Sequence, residues 1–359
     1  MRIAQIAPLW ERVPPPGYGG IELVVSLLTD ELVRRGHEVT LFASGDSKTL
    51  AHLSSVHDCA LRLDPQVREP EIYNILQLSQ VYQQADTFDL IHSHVGFGAL
   101  PFADLIPVPT LHTLHGIFTP DGSKIFRRFA HQPYVSISNA QRKPLSELNY
   151  IATVYNGIDL AQYPFRPEPQ APPYLAFLGR MSWEKGPDRA IALARQTGWT
   201  LKLAGKVDLV DEVFFHEVVQ PQIDGEQIQY LGEISHEQKA DLLGGAVATL
   251  FSINWEEPFG LVMIEAMACG SPVLGMVRGS APEVILEGKT GFLVESPAQM
   301  AQKLPLMGGI SRQACRDHVL ARFTHQGMTD SYEAVYRQIL AQTERSLTRT
   351  GPNSLPMTV

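Results

Sequence analysis

Cysteine is scarce in this chain of 359 residues, which has only three, at Cys59, Cys269 and Cys315. The three are far apart in sequence, and no Cys-x-x-Cys spacing joins any two of them. This pattern gives no sign of a disulfide framework, so we expect a reducing compartment, the cytoplasm.

Basic residues are also fewer than acidic residues. The chain has 29 Lys and Arg residues against 38 Asp and Glu residues, which gives a net charge of −9. Since nucleic-acid binding requires a basic face that neutralises phosphates, the charge balance argues against a nucleic-acid partner. A local basic site for a small phosphorylated ligand is still compatible with it.

Long uninterrupted apolar runs are missing as well. The N-terminus begins directly as a strand and lacks the charged region, long apolar region and cleavage site of a signal peptide. The stretch from Gly260 to Val277 has Glu265 as its only charge, but the Gly270–Pro272 segment interrupts it. A buried helix followed by a buried strand fits this stretch better than a membrane span.

The length favours two domains, because a single core stops growing well below this size. The segment Tyr163–Pro173 has five prolines and can join neither a helix interior nor a sheet interior, so it is predicted to be a linker. The predicted units are a first domain of residues 1–163, a linker of 164–173, a second domain of 174–325, a C-terminal helix of 326–348 packing back on the first domain, and a disordered tail of 349–359.

Both halves alternate short apolar strands with helical patterns. This repetition predicts an α/β fold with a doubly wound, Rossmann-like parallel sheet in each domain, the two facing each other across a cleft. The predicted strands are Arg2–Pro8, Glu38–Ala43, Phe88–His92, Thr110–Leu114, Tyr134–Ser138, Tyr174–Leu178, Leu201–Ala204, Gln227–Leu231, Ala246–Ser252, Pro272–Met276 and Gly291–Val294. The predicted helices include Glu22–Arg35, Ile72–Gln84, Pro187–Gln196, His236–Leu243 and Met328–Thr343.

The most unusual charge is Glu265, which lies in an apolar run that is typical of a buried helix. Burying a lone carboxylate is costly unless the group is paired or hydrogen-bonded. Two interpretations stay open: a structural glutamate with internal partners, or a glutamate that lines a cleft and binds ligand hydroxyls. A second carboxylate, Glu257, opens the same stretch in a turn before Pro258.

Two cations, Arg180 and Lys185, lie on a glycine-bounded loop after the first strand of the second half. Both suit charge-assisted bonds to phosphate oxygens. The alternative is a solvated pair, with Lys185 pairing with Glu184. The corresponding place in the first half holds Gly19-Gly20, before a helix whose N-terminus can bind an anion; a plain turn fits these glycines equally well.

Histidines cluster at the carboxyl ends of the first-half strands. His115 precedes Gly116 at a strand end, which suits a ligand-facing position, and Asn139 follows the next strand end with the same logic. A structural role is expected for the other histidines, and no His-Glu-x-x-His pattern or nearby carboxylate indicates a metal, so we predict none. The four histidines are His92, His94, His112 and His115.

The segment Lys124–Phe129 is basic and aromatic. Weak contact with a membrane surface or an anionic acceptor is conceivable, but a solvated helix face is favoured.

Together these residues resemble family 4 of the glycosyltransferases, a large retaining family with the GT-B fold. The resemblance runs from Arg2 to about Tyr336. Its most specific element is Glu-x7-Glu, here Glu257 to Glu265 within Glu-Pro-Phe-Gly-x4-Glu-Ala-Met-Ala-Cys-Gly-x-Pro-Val. Supporting matches are Gly19-Gly20-Ile21-Glu22, His115-Gly116, Asn156-Gly157-Ile158-Asp159, Gly179-Arg180, Glu184-Lys185-Gly186, Gly279 with Pro282-Glu283, and Thr290-Gly291-Phe292.

The resemblance implies a donor site in the second domain. Glu265 resembles the residue that accepts hydrogen bonds from the donor ribose, and Arg180 with Lys185 resembles the diphosphate clamp. Glu257 and His115 are implied to lie near the transferred sugar, and these two residues and the clamp are the predicted catalytic groups. The remaining implied donor-binding positions are the backbones of Gly19, Gly20, Phe259, Gly260 and Leu261, with Leu231 and Gly232 at the nucleobase.

The implied acceptor site lies on first-domain loops around Trp10–Tyr18, His94–Phe97 and Ile117–Phe126. Tyr18, His94 and Asn139 are assigned to it, while the acceptor stays open among a small molecule, a glycan and a lipid-linked sugar. The chain departs from the family pattern in its extended Pro14–Gly20 loop. It also lacks, after Gly205, a second glycine that many members have.

The implied chemistry needs neither metal nor cofactor. The sequence has no Asp-x-Asp motif, so Arg180 and Lys185 are implied to stabilise the leaving group instead. The resemblance implies transfer of a hexosyl group from a nucleotide sugar, by default a UDP-hexose, with retention by front-face attack. Two other functions stay open: a GT-B sugar-nucleotide epimerase or phosphorylase, and a catalytically silent subunit that binds a nucleotide sugar.

Overall fold

The computed structural model describes residues 1–17 and 19–349, with side chains described up to residue 345. Within that range the chain forms one sheet of seven strands and one of six. Every strand pairing in the two sheets is parallel. The predicted class, α/β with two doubly wound parallel sheets, is confirmed.

The first sheet belongs to the first domain, with helices between its strands. Its strands are β1 (Arg2–Ile6), β2 (Glu38–Phe42), β3 (His52–Ser54), β4 (Leu90–Ser93), β5 (Thr110–Leu114), β6 (Tyr134–Ser136) and β7 (Tyr150–Thr153). Its helices are α1 (Gly20–Arg34), α2 (Pro70–Gln83), α3 (Leu100–Ala103), α4 (Pro120–Arg128) and α5 (Asn139–Arg142).

The second sheet belongs to the second domain. Its strands are β8 (Leu175–Leu178), β9 (Leu201–Ala204), β10 (Ile228–Tyr230), β11 (Ala248–Phe251), β12 (Val273–Met276) and β13 (Gly291–Val294). The helices of this half are α6 (Pro187–Thr197), α7 (Glu212–Phe214, continued by a π-helical turn), α8 (His236–Gly245), α9 (Leu261–Ala268), α10 (Ala281–Val284), α11 (Pro297–Lys303), α12 (Arg312–Arg322) and α13 (His325–Arg349).

The strand order explains where a ligand can bind. The orders are β3-β2-β1-β4-β5-β6-β7 and β10-β9-β8-β11-β12-β13, so the direction of winding reverses beside β1 in one sheet and beside β8 in the other. A crevice opens outside the carboxyl ends of the strands at such a reversal. The loops after β1, β5, β8 and β11 carry most of the predicted site residues.

The last helix, α13, packs on the first domain although it follows the second in sequence. Tyr332 and Tyr336 on this helix are fully buried in one core with Val24, Leu28 and Leu32 of α1. Gln5 of β1 donates a hydrogen bond to the Tyr336 hydroxyl at 3.1 Å. Of the tail predicted for residues 349–359, Arg349 belongs to α13, and residues 350–359 lie outside the described residues.

The proline-rich linker is held against the second domain. Tyr163 at its start is 1% exposed, and the backbone N–H of Arg166 donates to the carbonyl of Cys269 at 3.0 Å. Gln170 N–H donates similarly to Gly245 O at 2.9 Å. These bonds fix the linker backbone, and the Tyr163 hydroxyl at its start bonds to Glu265.

Two strands of the first sheet were not predicted from the sequence. Strand β3 is three residues long and β7 is four, and both lie at the edges of the first sheet with no fully buried residue. Such short, partly exposed segments lack the apolar run by which the central strands were predicted. The segment Lys124–Phe129 forms part of α4, with Phe126 buried and Lys124 exposed, which is the predicted helix face.

Candidate active site in the cleft

A cavity of about 530 Å³ lies between the two domains. We call its lining residues numbered 8–156 the first wall and those numbered 177–265 the second wall. Ten predicted positions line it: Gly19, Gly20 and His115 in the first wall, and Arg180, Lys185, Glu257, Phe259, Gly260, Leu261 and Glu265 in the second.

Glu265 is buried on α9, at 4% exposure, and lines the second wall. Its Oε1 accepts hydrogen bonds from the Tyr163 hydroxyl at 2.8 Å and from Lys239 Nζ at 2.5 Å. The buried charge is therefore compensated by one cation and one hydroxyl, as a buried carboxylate requires. Glu265 thus has internal partners and also lines the cavity, while its binding of ligand hydroxyls stays a prediction.

Glu257 and Lys185 form an ion pair in the second wall. Trp255 adds to it, since its Nε1 donates to Glu257 Oε2 at 2.8 Å and its ring lies 4.7 Å from Lys185 Nζ. Lys185 therefore has a partner, but the partner is Glu257, 72 residues away, and not the neighbouring Glu184. The pair places a cation and a carboxylate side by side in the lining of the cavity.

Arg180 lies among carboxylates. It bonds to Glu184 at 2.5 Å, to Asp211 at 3.1 Å and approaches Asp208 at 3.6 Å. Burial raises the pKa of Asp211, while the adjacent Arg180 lowers it. An anionic ligand that bound Arg180 would have to compete with these carboxylates, so they keep the guanidinium oriented and moderate its attraction for anions.

The glycine pair brings the two walls into contact. Gly19 has φ of +147°, and a Cβ there would lie 2.6 Å from Pro15 Cβ, so a larger residue is excluded. A Cβ on Gly20 would lie 3.2 Å from Leu261 Cδ1 across the cleft. The N-terminus of α1 thus faces the start of α9, and two helix N-termini approach one point of the cavity.

Glu22 lies in the first turn of α1 and lines the cavity at 6% exposure. Burial raises the pKa of its carboxyl to about 7. This group belongs to the quoted Gly19–Glu22 match, but sequence reasoning gave it no role of its own.

His115 lies in the first wall after β5. Its Nε2 is 2.9 Å from Nδ1 of His94, whose Nε2 is 3.0 Å from Gln5 Oε1. Burial lowers the pKa of His115 to about 4, so the ring is neutral near pH 7. His94, assigned to the acceptor site, lies behind His115 and does not line the cavity.

Hydrogen bonds continue below these two histidines. Tyr336 OH lies 2.7 Å from His92 Nδ1, and His92 Nε2 lies 2.7 Å from Thr113 Oγ1. His115 itself is joined to α13 through His94, Gln5 and Tyr336. Among the described residues, one group has the spacing of metal ligands, namely His57, Cys59 and Asp64, and none of the three lines the cavity.

Three other predicted positions lie elsewhere. Asn139 is exposed and donates from its backbone and its side chain to Glu283 of the second domain, at 2.8 and 2.9 Å, outside the cavity. Leu231 and Gly232 lie outside the cavity too, although Gly232 O accepts from the cavity-lining Gly205 N–H at 2.9 Å. Tyr18 lies outside the described residues.

Sequence reasoning missed several lining or supporting residues. Tyr163 belonged to the proline-rich segment, and Lys239 to the predicted helix His236–Leu243, with no role of its own. Asn156 was quoted only as part of a match, yet it is 4% exposed, lines the cavity, and its Oδ1 has no hydrogen-bond partner in the described part of the chain. The residues that received no individual role are Trp10, Glu22, Asn156, Tyr163, Lys239 and Trp255.

Comparison with known families agrees with this geometry. A family model described as Glycosyltransferase Family 4 matches residues 18–162, and one described as Glycosyl transferases group 1 matches residues 162–306. The chain belongs to the family 4 glycosyltransferases, and its fold is GT-B. It is therefore a glycosyltransferase.

Among individual proteins, the chain is 26% identical to glycogen synthase of Mycobacterium tuberculosis, over 93% of this chain and 91% of that protein. It is 24% identical to D-inositol 3-phosphate glycosyltransferase of Pseudarthrobacter chlorophenolicus, over 77% and 78% of the two chains.

Solved structures are similar over nearly their whole length. AviGT4, a glycosyltransferase involved in avilamycin A biosynthesis, is 26% identical with a TM-score of 0.72, over 95% of this chain and 98% of that one. Sucrose-phosphate synthase of Thermosynechococcus elongatus is 20% identical with a TM-score of 0.80, over 95% and 99%. Anabaena HepE, solved with UDP and glucose, is 20% identical with a TM-score of 0.72, over 94% and 100%.

Within the described residues, no helix combines the length and the apolar character needed to cross a bilayer.

Proposed function

We propose that this enzyme transfers a hexosyl group from a nucleotide sugar, with a UDP-hexose as the expected donor, to an acceptor hydroxyl with retention of configuration. The observation that carries the proposal is Glu265: a buried carboxylate that faces the cavity and is held by Tyr163 and Lys239. Anabaena HepE, which has the same fold, is described in complex with UDP and glucose.

In this proposal Glu265 binds the donor ribose. Tyr163 and Lys239 both bond to Oε1, so Oε2 is the oxygen that accepts from the ribose hydroxyls. A charged acceptor in a buried site discriminates strongly for hydroxyl donors, because a ligand without them leaves the carboxylate unpaired.

Lys185 and Arg180 stabilise the departing diphosphate. Lys185 exchanges its partner Glu257 for a phosphate oxygen, and Glu257 is then available to the hydroxyls of the transferred sugar. Backbone N–H groups at the start of α1 and α9 add fixed positive dipoles at the same place. Since these groups are cationic or dipolar, the proposed reaction requires no divalent metal and no cofactor.

His115 contributes as a neutral group. Because burial lowers its pKa to about 4, the ring is neutral at pH 7 and carries one N–H, so it accepts or donates a single hydrogen bond at the sugar. In the front-face scheme the leaving phosphate oxygen takes the acceptor proton, and no side-chain nucleophile is needed. The cytoplasmic location expected from the low cysteine content stays a prediction.

A donor screen tests this proposal directly. Nucleoside diphosphates and nucleotide sugars are added one at a time, and the thermal midpoint and the release of free nucleotide are measured. A UDP-sugar is expected to stabilise the protein by mass action and to be hydrolysed slowly. If no nucleotide sugar stabilises the protein, or if stabilisation is equal in Glu265→Gln, the proposed donor site is wrong.

A further inference from the structure

The two walls of the cavity differ in charge. All four Lys and Arg residues among its described lining belong to the second wall. The first wall contributes two carboxylates, Glu11 and Glu22, and no cation. A ligand held by the first wall therefore meets negative groups and hydrogen-bond acceptors. The four cations are Arg180, Lys185, Lys206 and Lys239.

The cations nearest to the first wall are already paired. Glu11 is 3% exposed and bonds to Arg62 at 2.7 Å, with Lys206 at 3.9 Å. Lys206 also bonds to Asp208 at 2.9 Å, and Arg62 approaches Glu233 at 3.8 Å. Carboxylates thus accompany each cation that extends toward this side of the cleft.

Trp10 gives the first wall an apolar surface. It lines the cavity and is 47% exposed, whereas its neighbours Leu9 and Glu11 are buried at 1% and 3%. Its backbone is fixed, because Leu9 O accepts from Leu61 N–H at 2.9 Å and Trp10 O accepts from Arg62 N–H at 3.2 Å. An exposed indole on a fixed backbone costs little entropy when a ligand packs on it.

From these observations, and resting on the proposed function above, we infer that the acceptor is a carbohydrate without phosphate, whose ring packs on Trp10 and whose hydroxyls donate to first-wall carboxylates. Sugar rings combine an apolar C–H face with hydroxyl donors at the rim, which matches an indole beside carboxylates. A phosphorylated acceptor would place its charge against Glu11 and against the partly ionised Glu22, and like charges in contact are costly.

The inferred acceptor differs from the compound in the name of one relative of the chain. That relative is named D-inositol 3-phosphate glycosyltransferase, after a phosphorylated compound, whereas the first wall of this chain suits an uncharged acceptor.

In the proposed transfer, the bond from the sugar C1 to the phosphate oxygen breaks and the bond from C1 to the acceptor oxygen forms. The acceptor proton passes to the released nucleoside diphosphate, so atoms and charge balance.

The test uses the full-length enzyme with the UDP-sugar found in the donor screen. Matched acceptor pairs are compared: glucose with glucose 6-phosphate, maltose with maltose 1-phosphate, and myo-inositol with its 3-phosphate. We expect the neutral member to be glycosylated with at least about 100-fold higher kcat/KM. Preference for the phosphorylated member overturns the inference, as does donor hydrolysis without transfer to any neutral sugar.

Trp10 is tested by substitution. Trp10→Ala is expected to raise the acceptor KM by about 10-fold or more and the donor KM by less than about twofold, and Trp10→Phe to restore most of the acceptor affinity. Trp183→Ala is the matched control, since Trp183 is 57% exposed but does not line the cavity. An unchanged acceptor KM in Trp10→Ala contradicts the stacking role.

The two proposals fail in different ways. Loss of all nucleotide-sugar binding and hydrolysis in the unmodified enzyme counts against the proposed function itself. Normal donor hydrolysis combined with a preference for phosphorylated acceptors leaves the proposed function intact and removes only the inference about the acceptor.

Discussion

The two walls of the cleft are built differently. In the second wall, charged residues pair with one another inside the same domain: Lys185 with Glu257, and Lys239 with Glu265. The first wall holds its site histidine through neutral hydrogen bonds that reach down to α13. Ion pairs therefore hold the site residues of the second wall, whereas neutral hydrogen bonds hold the site histidine of the first, so substitutions in the two should have different signatures.

The largest effect is expected from the second-wall cations. Lys185→Ala or Arg180→Ala should lower turnover by about 100-fold or more, because each removes positive charge preorganised for the leaving group. Steady-state kinetics with the identified donor measures this. Lys303→Ala is the control, since Lys303 pairs with Glu287 away from the cavity. Turnover close to that of the unmodified enzyme would argue against the clamp.

Removing the ribose carboxylate should come next. Glu265→Ala is expected to weaken donor binding by about 10- to 100-fold, since hydrogen bonds to a charged group contribute about 1.5–3 kcal/mol. Calorimetric titration with nucleoside diphosphate checks this without requiring an acceptor. Tyr163→Phe removes one of the bonds to Glu265 and should have a smaller effect in the same direction. Unchanged donor affinity in Glu265→Ala rules out the ribose role.

The buried histidines of the first domain should make the free energy of unfolding depend on pH. Burial lowers the pKa values of His112 and His115 to about 4, and those of His92 and His94 well below the usual value. Between the pKa of about 4 in the folded chain and the ordinary histidine pKa of about 6.5, the unfolded chain binds more protons than the folded chain. The free energy of unfolding therefore falls as the pH drops below about 6.5. Burial of each neutral ring, at His112 and at His115, should lower the free energy of unfolding by about 2 kcal/mol at pH 5.

Urea unfolding at pH 8, 6.5 and 5 measures this loss. Glu22 acts in the opposite direction, because its raised pKa means that the folded state takes up a proton on acidification through pH 7. Glu22→Gln should therefore steepen the acid loss. His216→Gln, at an exposed position, is the control for a histidine without burial. Equal stability at pH 8 and pH 5 would show that the buried histidines are not held neutral.

The smallest effect is expected from metal removal. Because cations and helix N-termini supply the positive charge of the second wall, activity in EDTA should equal activity without it. Initial rates before and after chelation test this, followed by addition of Mg²⁺ or Mn²⁺. Complete loss that a divalent metal restores would refute the metal-free mechanism.

The contrast between the walls also explains what the sequence could reveal. Glu257 and Glu265 belong to one continuous stretch, and Arg180 and Lys185 to one loop, so a local pattern is enough to predict them. Lys239 and Tyr163 reach Glu265 from 26 and 102 residues away, and no local pattern indicates that contact. The first wall takes single residues from several loops, and for that reason Trp10 and Asn156 received no individual role.

His94 shows a second limit. It lies two residues after His92, and strand alternation predicts a shared face. The structure ends β4 at Ser93, and His94 bonds to Gln5 and His115 instead of facing a ligand. Gln5 and Tyr336 are 331 residues apart, and periodicity within α13 predicts only that the tyrosine is buried.

The return of α13 to the first domain sets a rule for exchanging parts between related enzymes. A chimaera cut only at the linker would combine the first domain of one parent with the last helix of another, and would interrupt the contact between Gln5 and Tyr336. A graft intended to change the acceptor therefore has to move two separate pieces of chain, one on either side of the second domain. The first domain and its last helix thus form one packed unit that is discontinuous in sequence.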